Sequence, residues 1–170
     1  MYIRHIRPED DRMSISEIYE RSWKHAYKDI LPDSYLNAIP RGHWASVIDS
    51  PGWNTLILFE QEKMVGTSSF CQSRFPQFEG CGEIISLYLL PEYMGKGYGK
   101  ELLKTVTMEL SAQGFQKIFL WVLEENNRAR HFYERYGFLK AVDVIEEKIG
   151  GKNVREIRYV QEVNLEVHNI

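Results

Sequence analysis

Pro-Glu-Tyr-Met-Gly-Lys-Gly-Tyr-Gly-Lys, residues 91–100, is the most informative stretch of this chain. A mostly apolar run at 83–90 precedes it and apolar residues at helical spacing follow, so it is predicted to join a strand to a helix. Gly95, Gly97 and Gly99 alternate here, and glycine lets the backbone approach a ligand without a Cβ in the way. The first helical turn has free N–H groups and a partial positive charge. This glycine loop is therefore predicted to bind an anion such as a pyrophosphate.

The glycine loop does not match the two common nucleotide-binding motifs. A Walker loop ends in Gly-Lys-Ser/Thr, whereas Gly99 is followed by Lys100 and Glu101. A Rossmann loop has its third glycine three residues after the second, and here the interval is two. A tight turn that simply needs glycine stays open. Lys96 and Lys100 would add positive charge at the rim of an anion site.

Strand and helix patterns alternate on both sides of the glycine loop. A helix with apolar residues at 102, 103, 106 and 110 separates the strand at 83–90 from a second central strand at 117–123. A crossover helix between sequential strands implies a parallel pair with a right-handed connection. Hairpins at 55–74 and 138–167 add antiparallel strands, a short strand is predicted at 2–6, and helices are predicted before residue 27 and at 33–38. The pattern favours an α/β chain whose mixed sheet carries helices on both faces.

A second signal follows at residues 126–138, Asn-Asn-Arg-Ala-Arg-His-Phe-Tyr-Glu-Arg-Tyr-Gly-Phe. Asn126 can cap a helix or bind an amide, and Ala129 and Phe132 lie one turn apart on one face. Any one of these residues could simply cap, fill a core or end a helix. The whole string is harder to explain in that way.

Together, the two segments resemble the GNAT (GCN5-related) N-acetyltransferase superfamily. Its members carry Gln/Arg-x-x-Gly-x-Gly/Ala at the loop and Asn-x-x-Ala-x-x-Phe/Leu-Tyr-x-x-x-Gly-Phe on the helix. Met94 departs from the usual Gln or Arg, while Gly97 and Gly99 match. The resemblance implies the GNAT acyl-CoA N-acyltransferase fold over residues 1–170 as a single domain, with a mixed six- to seven-stranded sheet.

The same resemblance implies acetyl-CoA as the cofactor. The residues expected to bind it are Leu87, Tyr88, Leu89, Met94, Gly95, Lys96, Gly97, Tyr98, Gly99, Lys100, Asn126, Ala129, Phe132 and Tyr133. Those from 87 to 90 would act through the backbone, provided that the two central strands splay apart as they do in the family.

Acetyl transfer to an amine needs one group to remove a proton and another to supply one. An alkyl ammonium has a pKa of about 10.4, and a thiol like that of Cys about 8.5. Tyr133 matches the family tyrosine near the thioester sulfur and is the predicted acid, or else a packed aromatic. Glu83 precedes Met94 by eleven positions, the offset of the base in the histone-acetylating branch. It is the predicted base, directly or through water, or else a strand-start carboxylate in a salt bridge.

The acceptor is expected to contact the first helices. Trp23 and Tyr27 lie one turn apart and are predicted to line a substrate pocket, although aromatic residues at this spacing more often belong to a core. Residues 23–32 weakly resemble a bacterial branch that includes polyamine acetyltransferases. The expected acceptor is a primary amine, either on a small molecule, for which a polyamine is one candidate, or on a peptide or protein. A non-catalytic acyl-CoA-binding regulator with the same fold is the alternative.

Composition limits the remaining possibilities. A formal net charge of −3 argues against broad nucleic-acid binding, and no run approaches a membrane span. Cys71 and Cys81 lack zinc-site or redox spacing, so no metal is expected. The first residues lack the apolar region of a signal peptide, which predicts a cytoplasmic protein. A homodimer is one possible assembly.

Overall fold

The computed structural model describes residues 1–163 of the chain, with seven strands and four α-helices in that range. In chain order the elements are β1 (Tyr2–His5), α1 (Arg12–Ala26), α2 (Asp33–Ala38), β2 (Asn54–Glu60), β3 (Lys63–Gln72), β4 (Gly82–Leu89), α3 (Tyr98–Ala112), β5 (Lys117–Leu123), α4 (Asn127–Arg135), β6 (Leu139–Ile149) and β7 (Lys152–Glu162). Short 3₁₀ turns at Pro76–Phe78 and Pro91–Tyr93 flank β4.

The strands form one sheet in the order β1-β2-β3-β4-β5-β7-β6. β4 and β5 are parallel, and the other neighbouring strands are antiparallel. The predicted mixed sheet and its parallel central pair are thus confirmed. The sequence Gly-Gly-Lys-Asn predicts the turn of the last hairpin at residues 150–153, but β7 already begins at Lys152, and only Gly150 and Gly151 separate it from β6. The part of the predicted strand beyond 163 lies outside the described residues.

Helices cover both faces of the sheet, and alternate β5 residues face opposite layers. Leu120 and Val122 belong to the apolar cluster that includes Leu103 and Val106 of α3. Leu123 instead packs with residues of the α1–α2 side, in a cluster with Leu31, Leu36 and Val154. α1 begins after Asp11, because the Asp11 carboxylate accepts hydrogen bonds from the backbone N–H groups of the first turn. Among the described residues, no helix is long and apolar enough to cross a membrane.

The parallel strands at the centre of the sheet separate almost as soon as they meet. Gly82 pairs with Ile118 and Glu83 with Phe119, and no later residue of β4 has a partner on β5 within residues 1–163. On its other side β4 shifts register against β3, because Ser69 opposes Ser86 while Phe70 opposes Ile84. Such an extra residue bends a strand and increases its twist. β4 and β5 therefore diverge towards their C-terminal ends and leave a wedge-shaped gap in the sheet.

Candidate active site

A cavity of about 530 Å³ occupies the gap between β4 and β5. Its walls come from β4, β5, the glycine loop, α4, the end of α1 and the β6–β7 hairpin. The predicted site residues that line it are Trp23, Tyr27, Glu83, Leu87, Tyr88, Leu89, Met94, Gly95, Gly97, Gly99, Lys100, Asn126, Ala129, Phe132 and Tyr133. Residues widely separated in sequence thus meet at one place.

The glycine loop bends sharply into α3. Gly95 and Gly97 have φ angles of +74° and +89°, which side-chain-bearing residues rarely adopt, and Gly97 is the N-cap of the helix. Glu101 is the first residue whose N–H bonds back into the helix, to the Gly97 carbonyl at 3.2 Å. The N–H groups of residues 98–100 therefore remain for another acceptor, as expected at a helix N-terminus. The loop can offer several N–H donors and the positive end of α3 to a phosphate.

Two predicted cofactor residues have side chains that point away from the cavity. The Lys96 ammonium lies 5.6 Å from the centre of the Tyr93 ring, and the Tyr98 ring meets Tyr93 edge-on at 5.7 Å. Neither Lys96 nor Tyr98 lines the cavity in the gap. The exposed Lys100 side chain, by contrast, lies at the cavity wall.

α4 closes the cavity on the side of the glycine loop. The Asn126 Oδ1 atom accepts the Ala129 N–H at 3.2 Å, so Asn126 caps this helix. Its amide NH₂ group has no acceptor within residues 1–163 and can donate to a ligand. A Cβ placed on Gly99 would lie 3.5 Å from the Phe132 ring, which shows how closely α3 and α4 approach. The first turn of α3 and the aromatic side of α4 therefore form one continuous wall.

The edge of β4 that faces the gap carries unpaired backbone groups. The Leu90 N–H donates to the Val65 carbonyl on β3 at 2.9 Å. Because backbone groups alternate in direction along a strand, those of Leu87 and Leu89 point towards β5, which no longer pairs there. This edge can pair with an extended ligand that carries amide groups.

Tyr133 is buried, with 8% of its surface exposed, and it lines the cavity. Within residues 1–163 its hydroxyl takes part in no hydrogen bond, so it is free to donate to a ligand. Burial raises the pKa of Tyr133, and the nearby Tyr27 adds to the effect. The hydroxyl therefore keeps its proton near neutral pH.

Glu83 is fully buried at the closed end of the gap and is bound to Arg74. The Arg74 guanidinium donates to its carboxylate at 2.6 and 3.2 Å, and the Arg74 backbone N–H donates at 3.0 Å. Such charge-assisted contacts are among the stronger hydrogen bonds in proteins, and they occupy lone pairs of both carboxylate oxygens. The structure places Glu83 beside the cavity as predicted, and in a salt bridge, the other role that its sequence position allowed.

Trp23 and Tyr27 meet edge-on, with ring centres 5.0 Å apart, at the end of α1. The Trp23 indole N–H donates to the Tyr88 hydroxyl at 3.1 Å, so α1 is tied to β4 across the mouth of the gap. Burial and the negative charge of Glu156 raise the pKa of Tyr27 to about 12. The predicted substrate residues therefore line the same cavity as the predicted cofactor residues.

Three further cavity residues, Arg74, Phe75 and Glu156, carried no signal in the sequence. Arg74 and Phe75 follow β3, and their position depends on the turn into β4. Glu156 lies on β7, opposite Leu123 of β5 and Ile145 of β6. Burial raises the pKa of Glu156 to about 7, and the charge of Glu147 adds to this. No local motif marks these residues, because folding alone brings them together.

The site combines N–H donors suited to a phosphate, an open strand edge, a protonated tyrosine, the buried Glu83 and the partly buried Glu156. Comparison with known proteins agrees with this arrangement: the acetyltransferase (GNAT) family model matches residues 12–138. An uncharacterized N-acetyltransferase, YuaI, of Bacillus subtilis (strain 168) is 30% identical over 129 residues, covering 75% of this chain and 74% of that protein. A spermidine N(1)-acetyltransferase of Thermoplasma acidophilum is 24% identical over 159 residues, covering 88% and 92%.

The fold has many solved counterparts. The PaiA N-acetyltransferase of Thermoplasma acidophilum, crystallised in complex with coenzyme A, superimposes with a TM-score of 0.70 at 20% identity. The match covers 96% of this chain and all of that one. The seven-stranded sheet with its splayed centre is therefore a fold shared with N-acetyltransferases.

Proposed function

Because this chain belongs to the acetyltransferase (GNAT) family, we propose that it transfers an acetyl group from acetyl-CoA to a primary amine in the gap between β4 and β5. Membership makes the chain an acyl-CoA-dependent N-acetyltransferase; the acceptor and the roles of individual residues are our proposal. The observation that carries the proposal is the cavity itself. It joins the anion-binding loop, the open β4 edge and Tyr133 in one continuous space.

Coenzyme A fits the residues on one side of this cavity. The N–H groups at the start of α3 would hold its pyrophosphate, as they would any comparable anion. The unpaired backbone groups of Leu87 and Leu89 would bind the amides of the pantetheine arm, with the Asn126 amide close by. Met94 lacks the charge usual at its position, so the backbone and Lys100 would supply most of the phosphate contacts.

Tyr133 would donate its proton to the departing sulfur. Its raised pKa keeps the hydroxyl protonated, and its lack of a partner in residues 1–163 leaves it free to turn towards a thiolate. A positioned acid of this kind contributes about 10²–10⁴-fold to a rate.

Glu83 remains the base predicted from the resemblance. Its carboxylate can accept a proton only when the contacts from Arg74 loosen, or when water relays the proton to it. Because both Arg74 and Glu83 line the cavity, an acceptor could bring about that change.

The acceptor would enter from the α1 side, between Trp23 and Tyr27 on one wall and Phe75 on the other. Aromatic walls suit the aliphatic part of an alkyl amine and the cation that it carries. One relative is named a spermidine N(1)-acetyltransferase and another, of Haemophilus influenzae, a [ribosomal protein bS18]-alanine N-acetyltransferase. Linear polyamines and peptide N-termini are therefore the two acceptor classes to test.

A thiol-release assay tests the proposal. Acetyl-CoA is incubated with the protein and, in turn, spermidine, single amino acids, aminoglycosides and short peptides. Release of coenzyme A that depends on one amine supports the proposal. Tight acetyl-CoA binding without turnover on any amine would instead favour the non-catalytic regulator, and absence of acetyl-CoA binding would contradict both.

A further inference from the structure

The acceptor side of the cavity contains two carboxylates in opposite states. Glu83 receives donors from the side chain and the backbone of Arg74. Glu156 has no hydrogen-bond donor or ion-pair partner among residues 1–163, although it lines the same cavity. A carboxylate without a partner in a partly buried apolar site is costly, and such groups usually serve a ligand.

The surroundings of Glu156 are apolar along the sheet. Leu123 lies beside it on β5 and Ile145 on β6, and Ile149 also lines the cavity. Trp121 shares this face of β5, since side chains two residues apart point the same way. The Glu156 carboxylate therefore has aliphatic and aromatic side chains as its neighbours on this face of the sheet.

The charged and titratable groups that face Glu156 come from three elements. Arg74 approaches from the segment after β3, Glu147 from β6 and Tyr27 from the end of α1. Arg74 is already bound to Glu83, and Glu147 is exposed. Tyr27 in turn lies near enough to Tyr133 to influence its pKa. Glu156 thus lies near Tyr27, which in turn lies near Tyr133, the predicted acid.

We propose that the Glu156 carboxylate binds the ammonium group of the acceptor and removes its proton, so that Glu156 is a catalytic residue of the transfer. This inference rests on the function proposed above and deepens it. Arg74-bound Glu83 becomes a positioning residue that holds Arg74 and the segment after β3 in place. An acceptor recognised in this way is a primary alkyl amine on an apolar stem.

Glu156 and Tyr133 together account for every proton that moves in the acetyl transfer. Glu156 takes one proton from the ammonium, and the neutral amine nitrogen forms a bond to the acetyl carbon. The bond from that carbon to sulfur breaks, its electron pair leaves with sulfur, and the thiolate takes the Tyr133 proton. The nitrogen loses a second proton, which restores Tyr133, and Glu156 releases its own proton to water. One ammonium and one thioester thus give one amide, one thiol and one proton.

The pKa of Glu156 suits this role. At about 7 it is high enough for the carboxylate to accept a proton, and low enough for a large fraction to be ionised at neutral pH. Proton transfer still runs uphill from the ammonium, because the carboxylate charge favours the ammonium form. Burial between the apolar walls of the cavity must therefore lower the pKa of the bound ammonium.

The test compares Glu156→Gln with Glu147→Gln, which removes a neighbouring exposed carboxylate. Rates with spermidine, phenethylamine and alaninamide are measured from pH 5.5 to 9, and acetyl-CoA affinity is measured by calorimetry. We expect Glu156→Gln to lower kcat/KM for the amine at pH 7 by about 100-fold or more. The rise in rate near pH 7 should disappear, while acetyl-CoA affinity stays the same. Glu147→Gln should keep its rate and show this rise at a slightly lower pH.

A second variant guards against a misfolded protein. Glu156→Asp keeps the carboxylate but shortens the side chain by one methylene group. The rate of this variant should therefore still rise near pH 7, at a lower level than in the wild type. If Glu156→Gln is folded, works within threefold of the wild type and keeps the same pH profile, the proposal is overturned. Wild-type protein that turns over none of the three amines would contradict the proposed function itself, and with it this inference.

Discussion

Arg74 holds the Glu83 carboxylate from two directions, with its guanidinium at 2.6 Å and its backbone N–H at 3.0 Å. The two residues are separated by a turn, yet they face each other across the closed end of the gap. Glu83 is completely buried, whereas 45% of the Arg74 side chain is exposed. The pair therefore connects the buried, closed end of the gap with its solvent-exposed rim.

Breaking this pair from the arginine side should destabilise the protein. Arg74→Met leaves a buried carboxylate with only one backbone donor, so the free energy of unfolding should fall by about 2–4 kcal/mol. The loss stays below the full cost of an unpaired buried charge, because water can take the place of part of the exposed guanidinium. Urea denaturation at pH 7 measures the change.

The double variant Arg74→Met/Glu83→Gln is the control for that measurement. With the charge removed as well, at least half of the lost stability should return. Strictly additive losses in the two single variants would show that the contact contributes nothing specific.

The glycine loop can be tested by a matched pair of glycines. Gly97 and Gly114 lie at opposite ends of α3, with φ angles of +89° and +94° and no atom within 4 Å of an added Cβ. Alanine at either position should cost about 1–2 kcal/mol, because both must adopt the left-handed region.

The two alanine variants should differ in ligand binding. Only Gly97→Ala places a methyl group at the cavity wall, so it should weaken acetyl-CoA binding about tenfold or more, while Gly114→Ala binds normally. Calorimetric titration of both variants with acetyl-CoA provides the comparison. Equal affinities would show that the loop is not part of the phosphate site.

The variant Tyr133→Phe distinguishes a catalytic role of the hydroxyl group from a packing role of the aromatic ring. The hydroxyl has no partner in residues 1–163, so its removal should leave the melting temperature nearly unchanged. If it supplies the proton to the leaving sulfur, kcat should fall about 100-fold while KM for acetyl-CoA changes little. Steady-state kinetics with saturating amine give both constants, and an unaltered kcat would exclude Tyr133 as the acid.

The raised pKa of Glu156 implies that the stability of the folded protein depends on pH. Its pKa is raised from 4.5 to about 7 in the folded protein, so the folded state binds this proton more tightly than the unfolded chain does. The resulting stabilisation is complete below pH 4.5 and is lost as the pH rises through 7. Glu156→Gln should therefore melt a few degrees above the wild type at pH 8.5 and close to it at pH 5. Thermal melts across this range test the sign, and a variant that melts lower at pH 8.5 would contradict it.

Much of the fold was predictable from local patterns in the sequence. The glycine loop predicted the start of α3, and Asn126 predicted the cap of α4, because turns and caps depend on residues close in sequence. The crossover between β4 and β5 predicted their parallel pairing for a similar reason.

The features that complete the site depend on contacts distant in sequence. The gap follows from the register shift opposite Ser69 and from the early end of pairing at Glu83, and neither has a local sequence signal. Glu156 enters the cavity only because β7 pairs with β5 and brings it opposite Leu123. Glu83 itself was found by sequence offset, but its ion pair with Arg74 needed the folded chain.

The most direct test of the proposed reaction is the stoichiometry of the products. Wild-type protein is mixed with acetyl-CoA and the best amine of the panel, and thiol is measured by absorbance while mass spectrometry counts acetylated amine. The proposal predicts one thiol for each amide formed, with both falling together in Tyr133→Phe. Thiol released without any acetylated amine, or at the same rate when the amine is left out, would contradict transfer to an amine.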